Sequence, residues 1–118
     1  MCGIAGFCNF RGDWQKNIER MCDRMYHRGP DASGVWASED NRVVLGHRRL
    51  AVVDLSPAGA QPMVSRDGRY VIVYNGEIYN HASIRKKLLA EKKTPAFRGS
   101  SDTETLLEAA AAYGLKDT

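Results

Sequence analysis

The run Tyr70-Val71-Ile72-Val73-Tyr74 has no polar alternation. A strand with one wet face alternates, so this pattern predicts a strand covered on both faces and hence a layered structure. Its surroundings say how the chain reaches it. Arg66-Asp67-Gly68-Arg69 reads as a hairpin turn joining Met63–Ser65 to Tyr70–Tyr74. Upstream, Cys2 to Asn9 reads as a mostly apolar strand, with Gly3 and Gly6 leaving room for close approach. Trp14, Ile18, Met21, Cys22 and Met25 fall on one face of a helix from Asp13 to Tyr26. His27-Arg28-Gly29-Pro30-Asp31 breaks that helix. Short strands are expected at Gly34–Ala37, Arg42–Gly46 and Arg48–Asp54, and Ser56-Pro57-Ala58-Gly59 reads as a loop. Two helices close the pattern. The first runs from Asn80 to Lys92 with Ile84 and Leu88 inward. The second runs from Asp102 to Tyr113, with Gly114 at a C′-like position. Ser101-Asp102-Thr103-Glu104 matches a capping box. Hairpin steps and helices together predict an α+β fold.

At 118 residues the chain is one domain or less, and a 43% hydrophobic share is enough for a core. The net charge of +3 is mild, and Lys and Arg are scattered, with Arg85-Lys86-Lys87 the densest run. Nucleic-acid binding asks for clustered basic residues, so none is expected. No apolar stretch approaches the ~20 residues of a membrane span, and the short apolar opening has no basic lead segment. Three cysteines (Cys2, Cys8 and Cys22), no Cys-x-x-Cys pair and three dispersed histidines argue against a disulfide framework and a structural zinc site. A reducing cytoplasm fits best.

Four places carry residues unusual for a purely structural domain. Cys2 follows Met1, and removal of that methionine would leave a thiol and a free α-amine on one residue. A thiolate is a nucleophile, and an α-amine of pKa ~7.7–8.0 can act as a base. While Met1 remains, the Cys2 nitrogen is an amide and cannot. A buried Cys at a strand start is the competing reading. Adjacent Arg48 and Arg49 point to opposite faces of a strand, so one faces inward and needs a carboxylate-like partner; a solvated edge strand is the alternative. Asn75-Gly76 is either a type I′ turn or a pair of donors for an oxyanion. A helix pattern follows it rather than a returning strand. Asp102 complements a helix dipole or binds a ligand ammonium.

In chain order, Cys2-Gly3-Ile4-Ala5-Gly6, Arg28-Gly29-Pro30-Asp31, Gly46-His47-Arg48-Arg49-Leu50, Gly59-Ala60-Gln61-Pro62-Met63, Asn75-Gly76-Glu77-Ile78-Tyr79-Asn80 and Ser101-Asp102-Thr103-Glu104 resemble the glutaminase domain of class II glutamine amidotransferases, of the asparagine synthetase type. The resemblance runs from Cys2 to about Tyr113. It implies an N-terminal-nucleophile αββα sandwich, two antiparallel sheets between helical layers, here truncated. It implies that residues 1–118 are part of a type 2 amidotransferase domain. The remaining strands and an ATP-dependent synthetase domain would lie outside this chain.

The resemblance also assigns roles. Cys2 would be the nucleophile, and Asn75 and Gly76 the oxyanion hole. Arg49 would bind the glutamine α-carboxylate, with backbone of Leu50, Ala51, Val52 and Val53 shaping the pocket. Glu77 and Asp102 would hold the α-ammonium. No metal or cofactor is expected on this chain; ATP and magnesium belong to the synthetase domain. That domain and glutamine are the implied partners, and exposed sheet edges leave a homodimer open. Aspartate is the default ammonia acceptor of this type, with sugars or other acids as alternatives. A non-catalytic docking domain and a hydrolase acting on another amide are the competing functional classes.

Overall fold

The structure is a computed structural model that describes residues 1–51, 55–94 and 96–118. The chain divides into two units. The first comprises Met1–Ala51, Ala60–Pro62 and Val73–Asn75. The second comprises Met63–Ile72 and Gly76–Thr118 together with residues 55–59.

The first unit is a three-stranded antiparallel sheet with one helix. Strand β1 (Gly3–Cys8), helix α1 (Trp14–Arg24), β2 (Ala32–Ala37) and β3 (Val43–Arg49) follow in order, and the sheet order is β1-β3-β2. Asp13 caps α1 by accepting from the Lys16 N–H at 3.1 Å, satisfying one of the donors a helix start leaves open. The apolar stripe of α1 then buries Ile18 and Cys22 against Val44, flanked by Ala5, Phe7, Trp14, Met21, Met25 and Ala37. Gly46 is required at this contact. A Cβ there would stand 2.6 Å from the Cys22 sulfur and 2.9 Å from Ile18 Cδ1. Gly3 opposes Arg48 in register, and a Cβ at Gly3 would meet Met25. Gly3, Val44, Gly46 and Arg48 therefore face α1. By alternation, Ile4, Gly6, Leu45, His47 and Arg49 occupy the other face.

The second unit pairs β4 (Met63–Val64) with β5 (Val71–Ile72) and packs helix α2 (His81–Ala90) on α3 (Asp102–Tyr113). Helix α3 also packs on β4 and β5. Met63, Leu88, Leu107, Ala109 and Ala110 are buried. Between β4 and β5 the Ser65 and Tyr70 backbones pair at 2.9 Å, and Gly68 takes φ +74°, a left-handed conformation glycine adopts without strain. The 66–69 hairpin turn is thus present. Ser101 caps α3 and Gly114, at φ +82°, ends it.

Several expectations need correcting. Residues 42–46 and 48–54 are not two strands: β3 runs through His47 to Arg49, because β1 and β2 pair with it on both sides. Of the expected second strand, Leu50 and Ala51 lie past β3, and Val52, Val53 and Asp54 lie outside the described residues. The edge-strand reading of the arginines fails for the same reason. Both are buried, not one. Residues 70–74 are half-buried rather than fully covered, and the strand there is only two residues long. Tyr26–Arg28 and Pro57–Gly59 are short 3-10 turns. Helix α2 is trimmed at both ends relative to 80–92. The capping box is half made: Ser101 Oγ accepts from Thr103, while Glu104 reaches back past Ser101 to Arg98 and Gly99. Among the described residues, two antiparallel sheets and three α-helices agree with an α+β fold. No described helix is long and apolar enough to cross a membrane.

Candidate active site

Cys2 enters β1 directly opposite the end of β3, since the register pairs Gly3 with Arg48. Extending it by one residue sets Cys2 against Arg49 on the face away from α1. The next residue of β3's exit fixes the sulfur. The Leu50 N–H donates to Cys2 Sγ at 3.3 Å, and the thiol reaches the Leu50 carbonyl at 3.6 Å. Cys2 is half-buried, and Met1 before it is exposed.

Arg28-Gly29-Pro30-Asp31 braces this corner. Arg28 Nε donates to the Cys2 carbonyl at 3.2 Å. Gly29 lies so close to the Arg48–Arg49 peptide that a Cβ would collide with it, and Arg48 Nε donates back to the Gly29 carbonyl at 3.0 Å. The Arg48 guanidinium also stands 4.8 Å over the Tyr26 ring. Asp31 receives the Ala51 N–H on Oδ2 at 2.8 Å, and its own N–H donates to the Arg49 carbonyl at 3.0 Å. The turn that sequence patterning reads as a helix breaker is therefore the support of the Cys2 backbone and of residues 48–51. In the sequence these residues stood out only as one of the motifs that carry the family resemblance.

Arg49 is buried and engaged by other groups of the protein. His47 shares its strand face and is almost wholly buried, and neither ring nitrogen makes a well-formed hydrogen bond among the described residues. Burial pushes its pKa down to about 4, and the Arg49 charge lowers it further; the Tyr74 backbone opposes them. A neutral His47 adds no second positive charge beside Arg49. Sequence patterning did not single out His47. Asn75 belongs to this unit and is exposed. The chain before it is held by the Tyr74 N–H, which donates to Gln61 Oε1 at 2.6 Å. No strand hairpin forms at Asn75-Gly76, so the type I′ turn reading fails.

The second unit carries Gly76, Glu77 and Asp102. Asp102 is the first residue of α3 and is buried. Its Oδ2 accepts from the Ile78 N–H at 2.9 Å, which brings the Gly76-Glu77-Ile78 segment to the start of α3. Gly76 and Glu77 are exposed. The structure thus groups Cys2, Arg49, Leu50, Ala51 and Asn75 in one unit and Gly76, Glu77 and Asp102 in the other. Val52 and Val53 lie outside the described residues. Burial raises the Cys22 thiol pKa, as suits a packing residue on the inner face of α1. No group of three His, Cys, Asp or Glu side chains arranged to hold a metal occurs among the described residues.

The first unit thus holds a half-buried thiol by backbone just before a strand, with a buried arginine at the end of the neighbouring strand. Comparison with known proteins gives it a family. The family model for the glutamine amidotransferase domain matches residues 1–118. The chain belongs to the glutamine amidotransferase domain family. Glutamine-hydrolyzing asparagine synthetase 3 of Bacillus subtilis (strain 168) is 43% identical over 112 residues, covering 91% of this chain and 17% of the relative. Glutamine-hydrolyzing asparagine synthetase 1 of Arabidopsis thaliana is 40% identical over 118 residues, covering 98% and 19%. Amidase chry2 of Gibberella zeae is 38% identical over 127 residues, covering 98% and 18%. This amidotransferase domain chain spans less than a fifth of the length of these relatives.

Proposed function

We propose that this chain is the glutaminase part of a glutamine-dependent amidotransferase, with Cys2 as nucleophile and its α-amine, freed of Met1, as base. The observation that carries the reading is Cys2 itself. It lies just before β1, one residue ahead of the Gly3–Arg48 pair, its sulfur held by Leu50. Arg49 binds the substrate α-carboxylate, and Asp102 with Glu77 binds the α-ammonium. Leu50, Ala51, Val52 and Val53 shape the pocket. Charges at the two ends of the amino acid orient the side-chain amide toward the sulfur.

Attack by the thiolate opens the amide carbonyl to a tetrahedral oxyanion, which the Asn75 side-chain amide and the Gly76 N–H stabilise. The α-amine takes the thiol proton and passes it to the leaving nitrogen. Collapse expels ammonia and leaves a γ-glutamyl thioester. Water then cleaves the thioester, restoring the thiol and releasing glutamate. Selectivity for glutamine comes from the paired charges, since an amide lacking one group leaves a buried charge unpaired.

The names of the Bacillus and Arabidopsis relatives support aspartate as the acceptor of the ammonia. A synthetase domain using ATP and magnesium is the implied partner, and an N-terminal-nucleophile sandwich the implied full fold. A relative named as an amidase favours a second reading, in which the domain is a hydrolase acting on another amide. The test is glutamate release from glutamine by the protein as its host makes it, with and without Cys2→Ala. Release that depends on Cys2 supports the reading; undiminished release in Cys2→Ala refutes it.

A further inference from the structure

Two charged side chains in the second unit lie outside the machinery above. Both are spent on one segment of backbone. Arg85, on α2, donates from Nη1 to the Gly99 carbonyl at 2.6 Å and from Nη2 to the Ser101 carbonyl at 2.7 Å. Its Nε donates to Thr105 Oγ1 at 2.7 Å, and its guanidinium stands 4.0 Å over the Phe97 ring. Glu104, on α3, has no exposed side-chain surface. It accepts from the Arg98 N–H at 2.7 Å, the Gly99 N–H at 3.0 Å and Arg98 Nε at 3.4 Å. Arg85 Nη2 and Glu104 Oε1 are 3.8 Å apart. Arg98 Nη2 in turn donates to the Val64 carbonyl at 2.7 Å, tying the segment to β4. The backbone groups of residues 98, 99 and 101 are thus held from both sides, immediately before Asp102.

We infer that Arg85 and Glu104 are positioning residues for glutamine binding, acting by fixing the 97–101 segment that presents the Asp102 carboxylate. The inference rests on the reading above that Asp102 receives the substrate ammonium. A buried carboxylate is costly unless it is paired and hydrogen-bonded, and the Arg98 and Gly99 hydrogen bonds to Glu104 come from this segment, with Arg85 as its second ion-pair partner. The planar fork of Arg85 reaches three acceptors from three separate nitrogens, a spread that the single nitrogen of a lysine does not match. Helix α3 has separate support: it packs on α2, with Leu88 and Leu107 buried. Loss of the clamp therefore loosens the segment before Asp102 more than the helix itself.

Displacement of a charge by about 1 Å from its working position costs up to about 10²-fold. The test compares wild type, Arg85→Lys and Glu104→Gln in the protein as its host makes it. Two amides serve as substrates: glutamine and 4-carbamoylbutanoate, which has the same side-chain amide and no α-amine. Arg85→Lys is expected to raise the glutamine KM by about tenfold or more with kcat within about threefold, and to leave kcat/KM for 4-carbamoylbutanoate unchanged. Glu104→Gln is expected to show the same pattern. A merely structural role lowers both substrates together. Equal losses on the two amides, an unchanged glutamine KM in Arg85→Lys, or failure of both variants to fold overturns the inference. A wild type that releases no glutamate from glutamine overturns the function proposed above, and the inference with it. An active wild type with an unaltered Arg85→Lys overturns the inference alone.

Discussion

Acid should weaken the first unit through His47. Its side chain is almost wholly buried, and burial, aided by the Arg49 charge, takes its pKa from 6.5 to about 4. In the unfolded chain His47 returns to about 6.5, so between those values the unfolded state binds a proton that the folded state refuses. Stability then falls as pH drops below 6.5, by at most about 1.4 kcal/mol per pH unit, and levels off below about 4. Over the whole window the ceiling is about 3 kcal/mol. The perturbation is His47→Leu, which fills much of the same space without a titrating group. Urea unfolding of wild type and variant at pH 7, 6, 5 and 4.5 gives the two curves. Other groups titrate alike in both proteins and cancel in the difference. The wild type should lose stability relative to the variant as the solution is acidified. Parallel curves, or a variant that loses more than the wild type, would refute the assignment of a neutral, buried His47.

Two further outcomes follow from the geometry. Gly46→Ala forces a methyl against the Cys22 sulfur and Ile18 Cδ1 under α1. It should cost about 1–3 kcal/mol by urea unfolding. Asn75→Ala removes one proposed oxyanion donor and should lower kcat for glutamate release by about 10²–10³-fold with KM little altered, read by steady-state kinetics.

Local chemistry wrote much of this fold plainly. The stripe from Trp14 to Met25 specifies α1, Asp67-Gly68 the hairpin turn, and Ser101 with Gly114 both ends of α3. Each of these is decided by residues close in sequence. Strand β3 was harder to read. His47-Arg48-Arg49 looks like a polar break or a wet edge, and only the two neighbours pairing with it make those residues interior. Ser101 and Glu104 satisfy the capping-box letters, yet the partners of Glu104 are Arg98 and Gly99, which lie before the cap. At the site, Cys2, Arg49, Asn75 and Asp102 stood out by residue type and by family resemblance. The supporting roles of Arg28, Asp31 and Arg85 did not. They depend on which carbonyl or N–H each side chain meets across the fold, and spacing along the chain carries no record of that.

The central claim is that Cys2, with its amino group unblocked, attacks the glutamine amide. A diazo-ketone analogue of glutamine, added to protein from which Met1 has been removed, tests it most directly. Intact-mass and peptide analysis should show one adduct, on the sulfur of Cys2, with Cys8 and Cys22 untouched and with excess glutamine protecting. Protein that stays unlabelled, or that takes the label elsewhere, contradicts the claim.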